Sequence, residues 1–524
     1  MSLFSDSPLD RCADFIESEI LGGMPLTDKL QEIQLTYLAD NRPWVLAYSG
    51  GKDSTAVAIL VYLALYGLPR EKLTKPVFVI SSDTLVETPV VVDHISTSLN
   101  DIFSGAQRDG LPITTHQVVP PPTDTFWTCL LGKGYPAPTR QFRWCTERMK
   151  IDPVSEFIKD KVSKYEEVVI LLGARTDESA SRAQVIKKHK IDGTNLGRHK
   201  TLSNAFIYTP IETWSTEDVW KVIRDLDDHQ APWGASTFGL WMLYAASADQ
   251  GECPLVIDES TPSCGNSRFG CWTCTVVTND RAMESLVRNG EEWMKPLLEF
   301  RDFLSMTGDV DKKTIYRNHK RRTGTIMYQR AKEGEDLETV RKHIPGPYFL
   351  KYRKEWLKQL LQMQKDFNDS GREITLITEP ELHAIRQEWL IDPNEPDWAD
   401  ELPDIYFDVY GEHLNWVHDD NNHFDKKDVD VLRKVCATYG VEAEMIMKLL
   451  DLEMKSEGLN KRSGIFKSIS SILSKDWGTL EQIEEKKQAL QSKAEFDLQE
   501  KVIKDYEESI VYLRKQLKSD EVGL

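Results

Sequence analysis

The sequence predicts an α/β fold: a parallel sheet with helices on both faces, followed by a cysteine-rich metal segment and a helical C-terminal region. Three observations carry it: short wholly apolar runs, helix-length segments between them, and turn or charged residues where the runs end. In order, WVLAY (44–48) is a strand, TAVAILVYLALY (55–66) an apolar helix and PVFVISSD (76–83) a second strand. VVDHISTSLNDIF (91–103) is a helix, ITTHQVV (113–119) a third strand and EEVVILLGAR (166–175) a fourth. Ligands of such sheets bind outside the carboxyl ends of the strands, which directs attention to Ser49–Thr55, Ser82–Asp83 and Gly173–Arg175.

Around this core the 524 residues divide by composition. A helical segment is expected over 1–40, the nucleotide domain over 41–245 and a four-cysteine segment over 246–280. A basic helical region follows over 281–390, an acidic linker over 391–424 and a helical region over 425–524. The linker reading rests on residues 391–420, which hold ten Asp/Glu and no Lys/Arg. In the last region Tyr506, Ile510, Leu513 and Leu517 form a packing stripe.

A net charge of −19 argues against indiscriminate coating of nucleic acid, although a local basic groove acts over ~10 Å regardless of the total. The start, MSLFSDSPLD, has no basic stretch followed by an apolar run, and no segment reaches the length of a membrane span. A cytoplasmic location without a membrane partner is therefore expected. Eight cysteines are too few for a disulfide scaffold, so a local cluster of them signals metal or chemistry.

The segment SGGKDST, 49–55, follows the first strand. Ser49, Gly50 and Gly51 can turn tightly enough for backbone N–H groups to face an anion, and the following helix adds its positive end. Lys52 supplies a charge, Ser54 and Thr55 supply hydroxyls, and Asp53 either orders the loop or binds Mg²⁺ beside the phosphates. Arg175 is a candidate phosphate grip, Gly173 an ATP/pyrophosphate-binding candidate and Asp83 a ribose or Mg²⁺ contact. The spacing is not that of the nucleotide-binding P-loop, since Leu46 stands where that motif needs its first glycine.

Two cysteine features add chemistry. Cys145 lies among Arg143, Arg148 and Lys150, a setting that favours thiolate, and a thiolate can carry sulfur as a persulfide. Cys253, Cys264, Cys271 and Cys274 read C-x10-C-x6-C-x2-C, four thiols for one metal site; spacing alone leaves zinc and iron–sulfur open. Downstream, Lys312, Lys313, Arg317, Lys320, Arg321, Arg322 and Arg330 interleave with Tyr316 and Tyr328 as a candidate phosphate-binding strip.

The loop resembles that of the PP-loop ATP pyrophosphatases (adenine nucleotide alpha hydrolase-like), which cleave ATP between the α- and β-phosphates. The segments 132–154, 171–182 and 208–220 resemble sulfonucleotide reductases and ATP-dependent sulfate-activating enzymes. Combined with the cysteine array, the chain resembles the DNA phosphorothioation sulfurtransferases of a restriction-modification system. That resemblance implies ATP and Mg²⁺ as cofactors, a [4Fe–4S] cluster on Cys253, Cys264, Cys271 and Cys274, and Cys145 as persulfide carrier. It further implies DNA as substrate, a cysteine desulfurase as sulfur donor and other DNA phosphorothioation (Dnd) proteins as partners. Catalysis would rest on Cys145, Lys52 and Asp53. A sulfonucleotide reductase, a tRNA thiolase and an ATP-sensing DNA-binding scaffold are the competing readings.

Overall fold

Strand β1, Trp44–Ala47, is buried on both faces. Its side chains alternate as a strand dictates: Trp44 and Leu46 enter one apolar core, Val45 and Ala47 the other. That places β1 in the middle of a six-stranded sheet with β2 (Val77–Ser82), β3 (Ile113–Val118), β4 (Val168–Leu171), β5 (Leu196–Arg198) and β6 (Ala205–Tyr208). The order is β3-β2-β1-β4-β6-β5, parallel except where β5 runs antiparallel to β6. Register is set centrally by Trp44 opposite Val77 and Val169, and by Leu46 opposite Val79 and Leu171. The chain leaves β1 toward β2 and β3, then returns to the other side with β4. The crevice between the carboxyl ends of β1 and β4 is thus the topological switch point, where ligands of such sheets bind.

The protein is described by a computed structural model over residues 7–178, 190–191, 193–246, 270–329, 343–417, 426–456 and 464–490. On one face of the sheet lie α1 (Leu26–Leu38), α2 (Lys52–Tyr66), α3 (Pro89–Arg108) and α5 (Thr216–Asp225), and on the other α4 (Asp152–Tyr165). Helix α2 is apolar all round because α1, α3 and α5 enclose it against the sheet, so nearly every one of its residues is buried. Each of its leucines removed from water contributes about 1.5–3 kcal/mol. The helix α6 (Phe238–Ala246) follows α5, anchored where Thr237 Oγ1 donates to Ile223 O at 2.7 Å. No described helix is long and apolar enough to cross a membrane.

Two compact units divide the chain. The first comprises Met1–Tyr316, Leu350–Glu388 and Leu402–Asn415, and contains the sheet. The second comprises Arg317–Phe349, Trp389–Glu401 and Trp416–Leu524; its described helices include Lys426–Tyr439, Ala443–Ser456 and Ile465–Leu473. The stripe Tyr506, Ile510, Leu513 and Leu517 lies outside the described residues.

The acidic stretch expected as a bare linker is built into structure instead. Asp392 and Asp397 are buried, and their carboxylates cap backbone: Asp392 Oδ1 accepts the N–H groups of Asn394 (2.8 Å) and Glu395 (2.9 Å), and Asp397 Oδ2 accepts that of Glu401 (3.1 Å). A helix, Glu401–Tyr410, then runs through the middle of the stretch. Asp392 and Asp397 here serve turn and N-terminal capping.

In the second unit His319 is pushed down to about 4, chiefly by burial and then by Lys320 and His343. Between that value and the unfolded ~6.5, the unfolded chain takes up a proton that the folded one refuses. Stability is therefore present above pH ~6.5 and lost as pH falls toward 4. Urea midpoints taken at pH 7.5, 6 and 5 are expected to decline with acidity, and His319→Gln is expected to flatten that decline.

Candidate active site

The turn after β1 uses Gly50 in the left-handed region, φ +70°. A Cβ there would also stand 2.6 Å from Ile95 Cγ1, so conformation and space both require glycine. Gly51 caps α2 without a side chain, and Ser54 Oγ donates to Gly51 O at 3.0 Å. Ser49 N–H donates to Ser54 Oγ at 3.2 Å, closing the turn on itself. Thr55 Oγ1 donates to Tyr48 OH at 3.4 Å, inside the core. His94 on α3 holds the turn from outside, its Nε2 lying 3.2 Å from Gly50 O; burial keeps this imidazole below its ordinary pKa. Since a carbonyl only accepts, His94 carries its proton on Nε2.

The loop after β4 closes onto this turn. At Gly173 a Cβ would stand 2.8 Å from the Asp53 carbonyl carbon and 3.0 Å from Ser54 N, so only glycine lets the two backbones touch. Two residues on, Arg175 Nε donates to Asp53 Oδ1 at 2.7 Å and its Nη1 donates to Trp214 O at 3.3 Å. Lys52 Nζ donates to the other Asp53 oxygen at 2.8 Å. Asp53 thus orders the loop between two buried cations, one of the two roles expected for it. Arg175, expected as a phosphate grip, is turned onto Asp53 and Trp214 O. No group of three or more His, Cys, Asp or Glu among the described residues is set to hold a metal ion.

The carboxyl end of β2 brings the cysteine chemistry to the same edge. Asp83 accepts Leu85 N–H at 2.8 Å and Gln117 Nε2 at 3.2 Å, and burial raises its carboxyl above the usual range. Against the residues just after it docks the C-x-x-C corner. Cys271 bridges Glu87, Trp272 N–H donates to Val86 O at 2.9 Å, and Cys271 Sγ lies 3.3 Å from Thr84 Oγ1. Arg301, wholly buried, donates to the carbonyls of Cys274 (2.7 Å), Thr278 (3.0 Å) and Val277, fixing the corner from behind. Burial, then Glu87, pushes the Cys271 thiol well above its ordinary pKa. Of the four expected cluster cysteines, Cys271 and Cys274 form this corner and Cys253 and Cys264 lie outside the described residues.

Cys145 sits in a short helical run, Trp144–Thr146, continued by a wider turn Glu147–Ile151 and then by α4. Ser82 Oγ donates to Met149 O at 3.1 Å, tying this run to the end of β2. Two of its cationic neighbours are engaged elsewhere, while Arg143 Nη1 is buried without a hydrogen-bond partner. Arg148 pairs with Asp124, and Lys150 Nζ stands 3.6 Å from Glu87 Oε1, beside the cysteine corner. The thiolate-favouring field expected from Arg148 and Lys150 is therefore shared with two carboxylates.

Of the expected basic strip, Lys312 and Lys313 belong to the first unit and the others to the second. Arg317 donates to Gly346 O (2.7 Å) and Pro345 O (2.6 Å), and Arg321 Nη1 donates to Pro345 O at 3.0 Å. Lys320 is buried over the Trp477 ring, with burial lowering its pKa. These three side chains organise their own unit, Arg322 is half-buried, and Arg330 lies outside the described residues.

The phosphoadenosine phosphosulfate reductase domain family matches residues 43–277, the sheet together with the cysteine corner. Two uncharacterized Methanocaldococcus jannaschii proteins are 28% identical over 36% of this chain and 32% of theirs, and 27% identical over 34% of each. The chain thus spans about a third of the length of the curated relatives it matches. Among solved structures, a phosphoadenylyl-sulfate reductase from Candida auris is 13% identical, covering 48% of this chain and 96% of that one, TM-score 0.26. The U34-tRNA thiolase NcsA from Methanococcus maripaludis, solved with its [4Fe-4S] cluster, is 13% identical over 55% and 82%, TM-score 0.25. Within residues 43–277, sequence reasoning missed His94, Trp214 and Tyr244. They carry no motif; the fold brings His94 and Tyr244, 44 and 192 positions away, onto the turn, and Trp214 onto Arg175.

Proposed function

We propose that this protein is an ATP-dependent sulfurtransferase that replaces a non-bridging oxygen of a DNA backbone phosphate with sulfur. One observation carries the reading: the glycine turn, the Cys145 run and the C-x-x-C corner all meet the sheet at its carboxyl edge. A phosphate oxygen of DNA would attack the α-phosphorus of ATP, breaking the α–β bond and releasing pyrophosphate into the Ser49–Thr55 turn. Lys52 and the first turn of α2 stabilise the departing charge. The terminal sulfur of a Cys145 persulfide then attacks the activated DNA phosphorus and expels AMP. A second thiolate attacks the Cys145 sulfur, leaving sulfur on phosphorus and a disulfide at Cys145. When bound at Cys271 and Cys274, with Cys253 and Cys264 as the other ligands, an iron–sulfur cluster would supply one-electron chemistry beside this edge.

The test is product analysis with ATP, Mg²⁺, DNA and a persulfide donor. AMP and pyrophosphate are expected, together with phosphorothioate in nuclease digests of the DNA; ADP would refute the reading. Lys52→Ala is expected to slow pyrophosphate release about 100-fold. Cys145→Ser is expected to retain pyrophosphate release and iron content while phosphorothioate falls to background. The matched family favours a second reading, reduction of a sulfonucleotide. It predicts sulfite from phosphoadenosine phosphosulfate and a thiol donor without added ATP.

A further inference from the structure

The amide of Lys52 is the first helical N–H of α2, a donor that a bound phosphate would claim. Here it donates to Tyr244 OH at 3.2 Å. The same residue places its ring 5.6 Å below Lys52 Nζ, and both residues are 6% exposed. Tyr244 comes from α6, 192 residues away in sequence, so the contact is made by the fold and not by the turn. With a neutral hydroxyl oxygen at the Lys52 amide and Lys52 Nζ on Asp53, the turn is satisfied internally in two places. From this geometry we infer that Tyr244 is a positioning residue of the phosphate site whose hydroxyl stands in for a phosphate oxygen and is displaced by it.

The inference rests on the reading of Ser49–Thr55 as a pyrophosphate grip, and deepens it. The hydroxyl keeps the helix terminus satisfied while no anion is present, and the ring gives Lys52 an aromatic face to rest on. Displacement requires Tyr244 to withdraw. Its ring centroid lies 5.0 Å from that of Trp220, and Trp241 lies 5.2 Å from Trp220, so the movement would disturb an aromatic group that reports by fluorescence.

The probe is inorganic pyrophosphate, titrated by calorimetry into the full chain. Tyr244→Phe keeps the ring and removes the competing hydroxyl; it is expected to bind pyrophosphate about fivefold more tightly, the worth of one displaced neutral hydrogen bond. A purely structural role would weaken binding or leave it unchanged, and either result overturns the inference. Pyrophosphate is also expected to change tryptophan emission in the natural protein, with the change lost in Trp220→Phe; an identical change in both overturns the displacement. If the natural protein binds no pyrophosphate at millimolar concentration, the phosphate-grip reading fails and Tyr244 with it. Binding that is equal in the natural protein and Tyr244→Phe sinks only the role of Tyr244.

Discussion

Asp53→Asn is expected to destabilise the first unit by about 3 kcal/mol and to abolish detectable pyrophosphate release. The carboxylate faces two cations taken out of water: Arg175 is 3% exposed, and the Lys52 side chain is nearly as enclosed. Asn preserves volume but returns no charge, so both cations are left buried without their counter-ion. Breaking such a pair from one side costs far more than a surface ion pair contributes. Urea unfolding read by tryptophan emission should show a lower midpoint with an unchanged slope. A shift under ~0.5 kcal/mol, the range of ordinary surface substitutions, would mean that Asp53 does not organise the turn.

Gly173→Ala should act on geometry alone. The added methyl would stand 2.8 Å from the Asp53 carbonyl carbon and 2.9 Å from its oxygen, both backbone atoms of the first turn of α2. No rotamer relieves that clash, so the β4 loop and α2 must part. Over-packing of this kind costs about 1–3 kcal/mol. Displacing a binding turn by an ångström is expected to lower the rate of pyrophosphate release about 100-fold, with far-UV circular dichroism unchanged. Wild-type turnover in Gly173→Ala would show that the crevice between β1 and β4 is not where the chemistry occurs.

The sheet was readable where buried strands are long enough to stand out. WVLA, VFVISS, ITTHQV and VVIL were all legible as apolar or β-branched runs. The edge pair, LGR at 196–198 and AFIY at 205–208, was not: three or four residues with a glycine or a polar neighbour give no periodicity to count. At the site, the SGGKDST turn announced itself through glycine and charge spacing. The supports beneath the turn did not, because His94 and Tyr244 reach it, and Trp214 reaches Arg175, through tertiary contact. The basic strip is a related case. Arg317 and Arg321 look like phosphate ligands in sequence, yet a guanidinium serves equally well to gather backbone carbonyls at Pro345 and Gly346.

The bridge between Glu87 and Cys271 bears on the order in which the molecule is assembled. Thr84 and Cys271 meet 187 positions apart in the chain, whereas β1 and β2 pair after only one long helix. Distant pairings bear their loop-closure entropy before any contact rewards them, so they form late. The strand end that receives the cysteine corner is therefore in place before the corner arrives.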